Sequence, residues 1–343
     1  MGMTSEHRSA LVADIGGTNA RFALAQDDGT LAALGRYAVS AFSGPTEAAN
    51  AFLQEHGAPP IGRAALAVAG PVTGDRVRLT NHPWDFSQRA LREALGLDTL
   101  IVVNDLVAAA AAIPVLPREG AETVAGGDPL AGAPLAMLAP GTGLGTALLV
   151  PADRGASSFL AVPAEGGHAT LPPRDEFESA LLARARLEFA HVSAERLVSG
   201  MGLPLLYRLI AAETGAVAPL DSAAAIADAA GGGDALAQRT IRQFCAFLGT
   251  VAGDLILSTG ARGGLYLGGG ILPQWGRLFA VAAFRERMID KGRQRGFLEP
   301  VPVSMVTDAM PALRGLAAIL EDRVRVAGLC AAPDRIHLSD KSH

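Results

Sequence analysis

The sequence predicts a layered α/β protein of two domains, and three observations carry that expectation. Apolar, strand-like runs alternate with segments of helical spacing along the chain. The chain has 343 residues, more than one domain of ordinary size holds. One local pattern (apolar strand, Gly-rich turn, apolar strand) occurs twice, at 11–24 and at 135–150, on either side of a Pro- and Gly-rich stretch at 114–134. The repeat is one of form rather than of sequence, and it suggests two related halves facing each other.

Residues 11–15 are an apolar strand with one charge, Asp14, near its end. Gly16 and Gly17 follow; without a Cβ they can take positive φ and approach another group closely. Thr18 and Asn19 put a hydroxyl and an amide at the tip, and 20–24 return as a strand. Residues 31–39 read as a third strand. In 45–56, Ala48, Ala49, Phe52 and Leu53 fall at helical spacing. Residues 64–69 are a buried strand stopped by Gly70-Pro71. A polar-aromatic loop, Thr80-Asn-His-Pro-Trp84, precedes a helix over 86–95 with Gly96 as its cap. Residues 100–103 are a short buried strand running into Asn104-Asp105, and 106–113 start an Ala-rich helix.

The stretch 114–134 is the candidate crossing between domains. Strand 135–139, Gly turn 140–145 and return strand 146–150 restart the pattern. A polar loop lies at 164–168, helices at 175–189 and 201–213, a flexible joint at 231–234 and a long apolar helix at 235–257. Strand 264–267 meets Gly268-Gly-Gly270. The last strand is 301–306, and the last helix is 311–327, with Pro311 at an early position where helices allow it. The tail after Cys330 reads as frayed.

Several of these places can carry chemistry, and each has a plain alternative. Asp105 follows a buried strand and precedes a helix, at the edge where open α/β folds put ligands. Asn104 or Asp105 can simply cap that helix; the alternative is a desolvated carboxylate that accepts a proton from a substrate hydroxyl. The first turn, with Gly16, Gly17, Thr18 and Asn19, is either a hairpin turn or a nest of N–H groups for a phosphate. The second, with Gly141, Thr142, Gly143 and Gly145, has the same two readings, and two facing turns favour phosphate. It is not a Walker-type loop, because no GxxxxGK[ST] is present. Gly268, Gly269 and Gly270 let an adenine or ribose lie against backbone, or make a tight turn. Glu165 and His168 share one loop, which either holds a small polar ligand or is bare surface. Glu195 sits near a helix start, where acids are favoured in any case. Asn81 and His82 precede Pro83 in a turn. Asp175, Glu176 and Glu178 read as first-turn helix acids and take no role.

Composition excludes several classes. Half the residues are hydrophobic and 18% are charged, so a packed core forms and disorder is not expected. A net charge of −5 argues against a nucleic-acid binder held by phosphate neutralisation. Two cysteines, Cys245 and Cys330, stand far apart with no CxxC pair, as expected for reduced thiols in a cytoplasmic protein. The first residues are too polar for a signal peptide, and no run of about 18 apolar residues predicts a membrane span.

Taken in order, the motifs resemble the bacterial glucokinases of the non-zinc group, within the sugar kinase, heat-shock and actin ATPase superfamily. The matching stretches are Asp14-Ile-Gly-Gly-Thr-Asn-Ala-Arg21, Thr80-Asn-His-Pro-Trp84, Asn104-Asp105, Gly141-Thr-Gly-Leu-Gly145 and Glu165-Gly-Gly-His168. They continue with Ser193-Ala-Glu-Arg196, Ser199-Gly200, Gly268-Gly-Gly-Ile271 and Lys291-Gly-Arg293. They run from residue 11 to about residue 320 in family order. The resemblance implies a two-domain ribonuclease H-like (actin-like ATPase) fold. Its small domain would hold 1–115 plus about 308–330, its large domain 116–307, with a tail at 331–343. It implies ATP-dependent phosphorylation of D-glucose on the 6-hydroxyl, with Asp105 as general base. Asn104, Glu165, His168 and Glu195 would hold the other hydroxyls, and Asn81 joins the sugar set. The two Gly turns would hold the phosphates of ATP, with Asp14 near Mg²⁺, and Gly268–Gly270 would lie by the nucleoside. No structural zinc is implied, because the cysteines of the zinc-bearing branch are missing after His168. The partners implied are glucose, ATP and a second copy in a homodimer. Leu106 and Ala164 stand where relatives more often carry Phe and Gly.

A kinase for another hexose is the near rival. A sugar-responsive regulator is the rival of another class; the ten residues before Leu11 are too few for a DNA-binding module. An ATPase without a sugar would leave Glu165, His168 and Glu195 unexplained.

Overall fold

The structure, a computed structural model, describes residues 9–80, 82–153 and 155–328. Asn81, Cys330 and the 331–343 tail, all named above, lie outside the described residues. Strand β1 (Ala10–Ile15) alternates as a strand buried on both faces must. Leu11, Ala13 and Ile15 enter one core, and Ala10 and Val12 another. Asp14 therefore shares the face of Ala10 and Val12. β1 pairs antiparallel with β2 (Asn19–Ala25), and β2 with β3 (Leu31–Ala38). Helix α1 (Pro45–Glu55) starts on a proline at an early position, where its missing N–H costs nothing. It buries Ala48, Ala49 and Phe52 against the outer face of the sheet.

β4 (Arg63–Val68) lies parallel to β1, and a small ribbon of β5 (Arg76–Arg78) and β6 (Asp85–Ser87) follows. The helix expected over 86–95 begins only at α2 (Gln88–Ala94). Phe86 and Ser87 belong to the ribbon instead, and the Ser87 side chain caps the helix by accepting from the Ala90 N–H. β7 (Thr99–Asn104) then runs parallel to β4, and α3 (Asp105–Ala111) leaves it at once.

The second half opens with β8 (Ala121–Ala125), inside the stretch that reads from sequence as a bare crossing. β9 (Leu135–Pro140) and β10 (Leu144–Pro151) form the second hairpin, and β11 (Phe159–Ala164) extends it antiparallel. β11 has no counterpart among the sequence expectations. Four helices follow: α4 (Glu176–Ala185), α5 (Gly202–Thr214), α6 (Ala223–Gly231) and α7 (Ala235–Thr259). β12 (Gly264–Leu267), short α8 (Ile271–Trp275), α9 (Val281–Ile289), short α10 (Arg295–Leu298) and β13 (Val303–Val306) complete the layer. α11 (Pro311–Leu320) ends earlier than the expected 311–327. Asp322 takes φ +61°, which turns the chain, and β14 (Val324–Val326) pairs parallel with β11. Within the 308–330 segment expected in the small domain, α11 lies on the first sheet and β14 in the second.

The first sheet has the order β3-β2-β1-β4-β7 and the second β14-β11-β10-β9-β12-β13-β8. Without its edge strands β14 and β8, the second repeats the order and strand directions of the first. Two copies of one ribonuclease H-like layer face each other, as expected. Between them lie α3 and α11, in a core that takes Val12, Ala65 and Val103 from one sheet and Met137, Ala147 and Leu149 from the other. Small residues allow the close approach. A Cβ on Gly315 of α11 would fall 1.7 Å from the Ala108 carbonyl oxygen of α3.

The other face of the second sheet carries the largest core, built on α4, α5, α7 and α9. α7 is long and apolar enough to cross a membrane, yet 72% of its most apolar window is buried inside the fold. Cys245 lies there, its thiol pushed up to about 12 by burial, which leaves it unreactive. Glu178 is no solvated first-turn acid: its side chain, 2% exposed, pairs with Arg287. The Arg174 N–H at 2.7 Å and Gln243 Nε2 at 2.7 Å donate to the same carboxylate. Arg287 also donates to Thr250 Oγ1 at 2.7 Å.

Candidate active site

β7 delivers Asn104 and Asp105 to the edge of the first sheet, where both side chains meet the start of α3. Asn104 caps α3: its Oδ1 accepts from the Leu106 N–H at 2.9 Å, and its Nδ2 donates to the Gly70 carbonyl at 3.3 Å. Asp105 stands in the first turn, half-buried, and its Oδ1 accepts from the same Leu106 N–H at 2.8 Å. Burial pushes its carboxyl from 3.8 up to about 6; the Leu106 N–H opposes this, and the charge of Asp14 adds to it. A base must be ionised to act. We therefore expect kcat/KM to fall as pH drops through about 6, and a limb near 4 would mean Asp105 does not carry the proton.

The second half brings Glu165, His168 and Glu195 together. The chain turns tightly at Gly166–His168, directly after β11. A bridge between Thr170 and Ser193 and the Ala194 N–H to Ala169 carbonyl bond (2.9 Å) stitch the 193–196 turn beside it. The His168 ring lies between two carboxylates, Nε2 3.9 Å from Glu165 and Nδ1 3.9 Å from Glu195. Glu165 is 83% and His168 61% exposed, while Glu195 is 26% exposed and accepts from the Leu144 N–H at 2.9 Å. Two carboxylates and an imidazole at one mouth offer acceptors and a donor to a polyol, whose hydroxyls must regain the partners lost with water. The sequence reading missed Thr146. This residue is 2% exposed, and its Oγ1 accepts from the Gly166 N–H at 2.8 Å, fixing the turn. Nothing in one sequence marks such a threonine apart from other strand residues.

The first Gly turn is closed by the Gly16 N–H to Asn19 carbonyl bond at 3.0 Å. Neither Gly16 nor Gly17 uses the positive φ open to a glycine. Asn19 Oδ1 accepts from Arg36 Nε at 3.2 Å. Asp14 faces Arg21, its cross-strand partner, at 3.5 Å; burial raises its carboxyl and Arg21 lowers it. In the second turn Gly141 is open, Thr142 is exposed, and the Gly141 N–H bonds internally to the Gly143 carbonyl at 2.8 Å. Gly145 lies under Leu106, so the two halves touch one residue from Asp105. Gly268 lies against Met137 and Gly269, at φ +79°, against the Pro140 carbonyl; a Cβ at Gly270 would make ordinary contact with Gln274 Nε2 at 3.9 Å.

A cavity of about 240 Å³ lies where the halves meet. Pro71, Val103 and Asn104 line it from the first half; Thr146, Glu165 and Val326 line it from the second. Asn104 and Glu165, expected on one sugar, thus border one space.

A family model described as Glucokinase matches residues 11–323. The chain is 44% identical over 315 residues to a glucokinase of Chromobacterium violaceum, covering 92% of this chain and 90% of that one. It is 42% identical to a "Bifunctional protein glk" of Burkholderia pseudomallei, covering 94% of this chain and 50% of that protein. The chain therefore spans about half the length of the bifunctional relatives it matches. Among solved structures, a glucokinase from an Antarctic psychrotroph superposes with a TM-score of 0.85 at 37% identity, covering 92% of this chain and 100% of that one. A Balamuthia mandrillaris glucokinase in complex with glucose shares the fold, with a TM-score of 0.74 at 21% identity over 92% of this chain and 95% of that one.

Proposed function

We propose, for a chain that belongs to the glucokinase family, that it transfers the γ-phosphoryl group of ATP to the 6-hydroxyl of D-glucose. The observation that supports this is one cavity bordered by Asn104 and Glu165; Asp105 follows Asn104 in the chain, and His168 Nε2 lies 3.9 Å from Glu165, neither of them in the cavity's lining. Asp105 takes the proton of the 6-hydroxyl as the oxygen attacks phosphorus, and its raised pKa brings its basicity nearer to neutral. Asn104, Glu165, His168 and Glu195 hold the remaining hydroxyls and orient the ring. Asn81 joins the sugar set on the family resemblance alone.

The nucleotide lies across the two Gly turns, with Thr18, Asn19, Gly141 and Thr142 at its phosphates and Gly270 at the nucleoside. A magnesium ion supplies charge neutralisation when bound with the nucleotide. Asp14 fits it, through water: its carboxyl is raised by burial, so a cation there favours the ionised form. The reading includes no structural zinc. Phosphoryl transfer needs positioning more than covalent chemistry, so parts from two halves suffice once these close on the sugar and exclude water. A homodimer and a cytoplasmic location complete the reading and rest on the family resemblance.

The experiment is steady-state turnover with ATP across a panel of glucose, fructose, mannose and N-acetylated amino sugars. Glucose should give the highest kcat/KM, and a different best acceptor would replace the substrate while leaving the reaction class.

A further inference from the structure

The second Gly turn serves more than one neighbour. Open space surrounds the position of a Cβ at Gly141, but a Cβ at Gly143 would stand 2.4 Å from Glu195 Oε2. The next residue, Leu144, gives its N–H to that same oxygen at 2.9 Å. The other oxygen of Glu195 lies 3.9 Å from His168 Nδ1. The stretch that follows Glu195 is tied down twice: Ser199 Oγ donates to the Glu195 carbonyl at 2.7 Å, and the Gly200 N–H donates to the Gly141 carbonyl at 2.8 Å. One oxygen of the carboxylate is thus fixed on the turn and the other is aimed at the sugar mouth.

We propose that Gly143 and Leu144 are positioning residues for the sugar rather than for phosphate, acting through Glu195. Leu144 supplies the N–H that orients the carboxylate, and Gly143 supplies the gap it occupies. A methyl group at 143 takes that gap, breaks the Leu144 bond and moves the acceptor away from the ring. A turn whose sequence reads as a phosphate loop then controls glucose affinity in its second half and nucleotide in its first. The proposal rests on the sugar-kinase reading above.

The test compares Gly143→Ala with Gly141→Ala while glucose and ATP are varied in turn. Gly143→Ala should raise the KM for glucose about tenfold or more, with the KM for ATP changing less than about threefold. Gly141→Ala should show the opposite split. A Gly143→Ala enzyme whose KM for ATP rises as much as its KM for glucose overturns the proposal. A second variant guards against misfolding. Glu195→Asp has a shorter reach, so hydrogen exchange at the Leu144 amide should speed up about tenfold or more while distant peptides exchange as in the wild type. Unchanged protection at Leu144 overturns the proposal. The exchange readout needs no turnover, so it separates failure of the positioning from failure of the sugar-kinase reading, which a wild-type chain inert on glucose would sink by itself.

Discussion

Asp105→Asn should lower kcat about a thousandfold, in the middle of the range that a positioned base contributes. Glucose should still bind, because an amide oxygen can accept from the Leu106 N–H as the carboxylate does at 2.8 Å. The same variant should melt at a higher temperature at pH 7.5, and the sign follows from linkage. Burial raises the folded carboxyl from 3.8 to about 6, so between those values the folded state binds the proton more tightly than the unfolded state. Stability therefore falls as pH rises through that window, and the loss stands in full above about 6. A neutral amide removes the loss. Lower turnover with higher stability is the signature of a carboxylate held for chemistry. Near-normal turnover in the variant would reduce Asp105 to a first-turn residue of α3. Calorimetric titration of glucose and a thermal melt complete the measurement.

Glu178→Ala should destabilise the fold by about 3–5 kcal/mol, the cost of leaving one member of a buried ion pair alone. Glu178 is 2% exposed and Arg287 7%, and among the described residues the guanidinium keeps the Thr250 hydroxyl when the carboxylate is gone. The Arg174 N–H and Gln243 Nε2 lose their acceptor as well. Urea unfolding measures the loss. A change below about 1 kcal/mol would mean that water reaches the pair and screens it, as at exposed salt bridges.

The two networks show what one sequence can disclose. The hairpins of β1–β2 and β9–β10 were legible because strand–turn–strand needs only apolar runs and glycines. Their equivalence in two facing sheets was legible from the repeat of form. The place of Asp105 at the sheet edge was legible because a polar pair follows a buried strand there, but which of Asn104 and Asp105 caps α3 was not. Glu178 was not: three acids at a helix start look alike, and only packing decides which one turns inward to meet Arg287, 109 residues away. β11 was hidden because residues 159–164 mix Ala and Pro with apolar residues, and its pairing with β10 is a tertiary fact. β14 was hidden for the opposite reason. Residues 321–327 carry no proline or glycine to stop a helix, and the stop comes from Asp322 in a left-handed conformation. In the second Gly turn the sequence showed flexibility but not its beneficiary. Glu195 and Leu106 fill the space beside Gly143 and Gly145, and no spacing rule names them.

The most direct test of the sugar-kinase reading is phosphorus NMR of the wild-type protein with ATP, Mg²⁺ and glucose, followed to completion. The account predicts one equivalent of glucose 6-phosphate for each ADP formed and negligible ADP without sugar. ADP released without sugar phosphate, or at the same rate when glucose is left out, would contradict it.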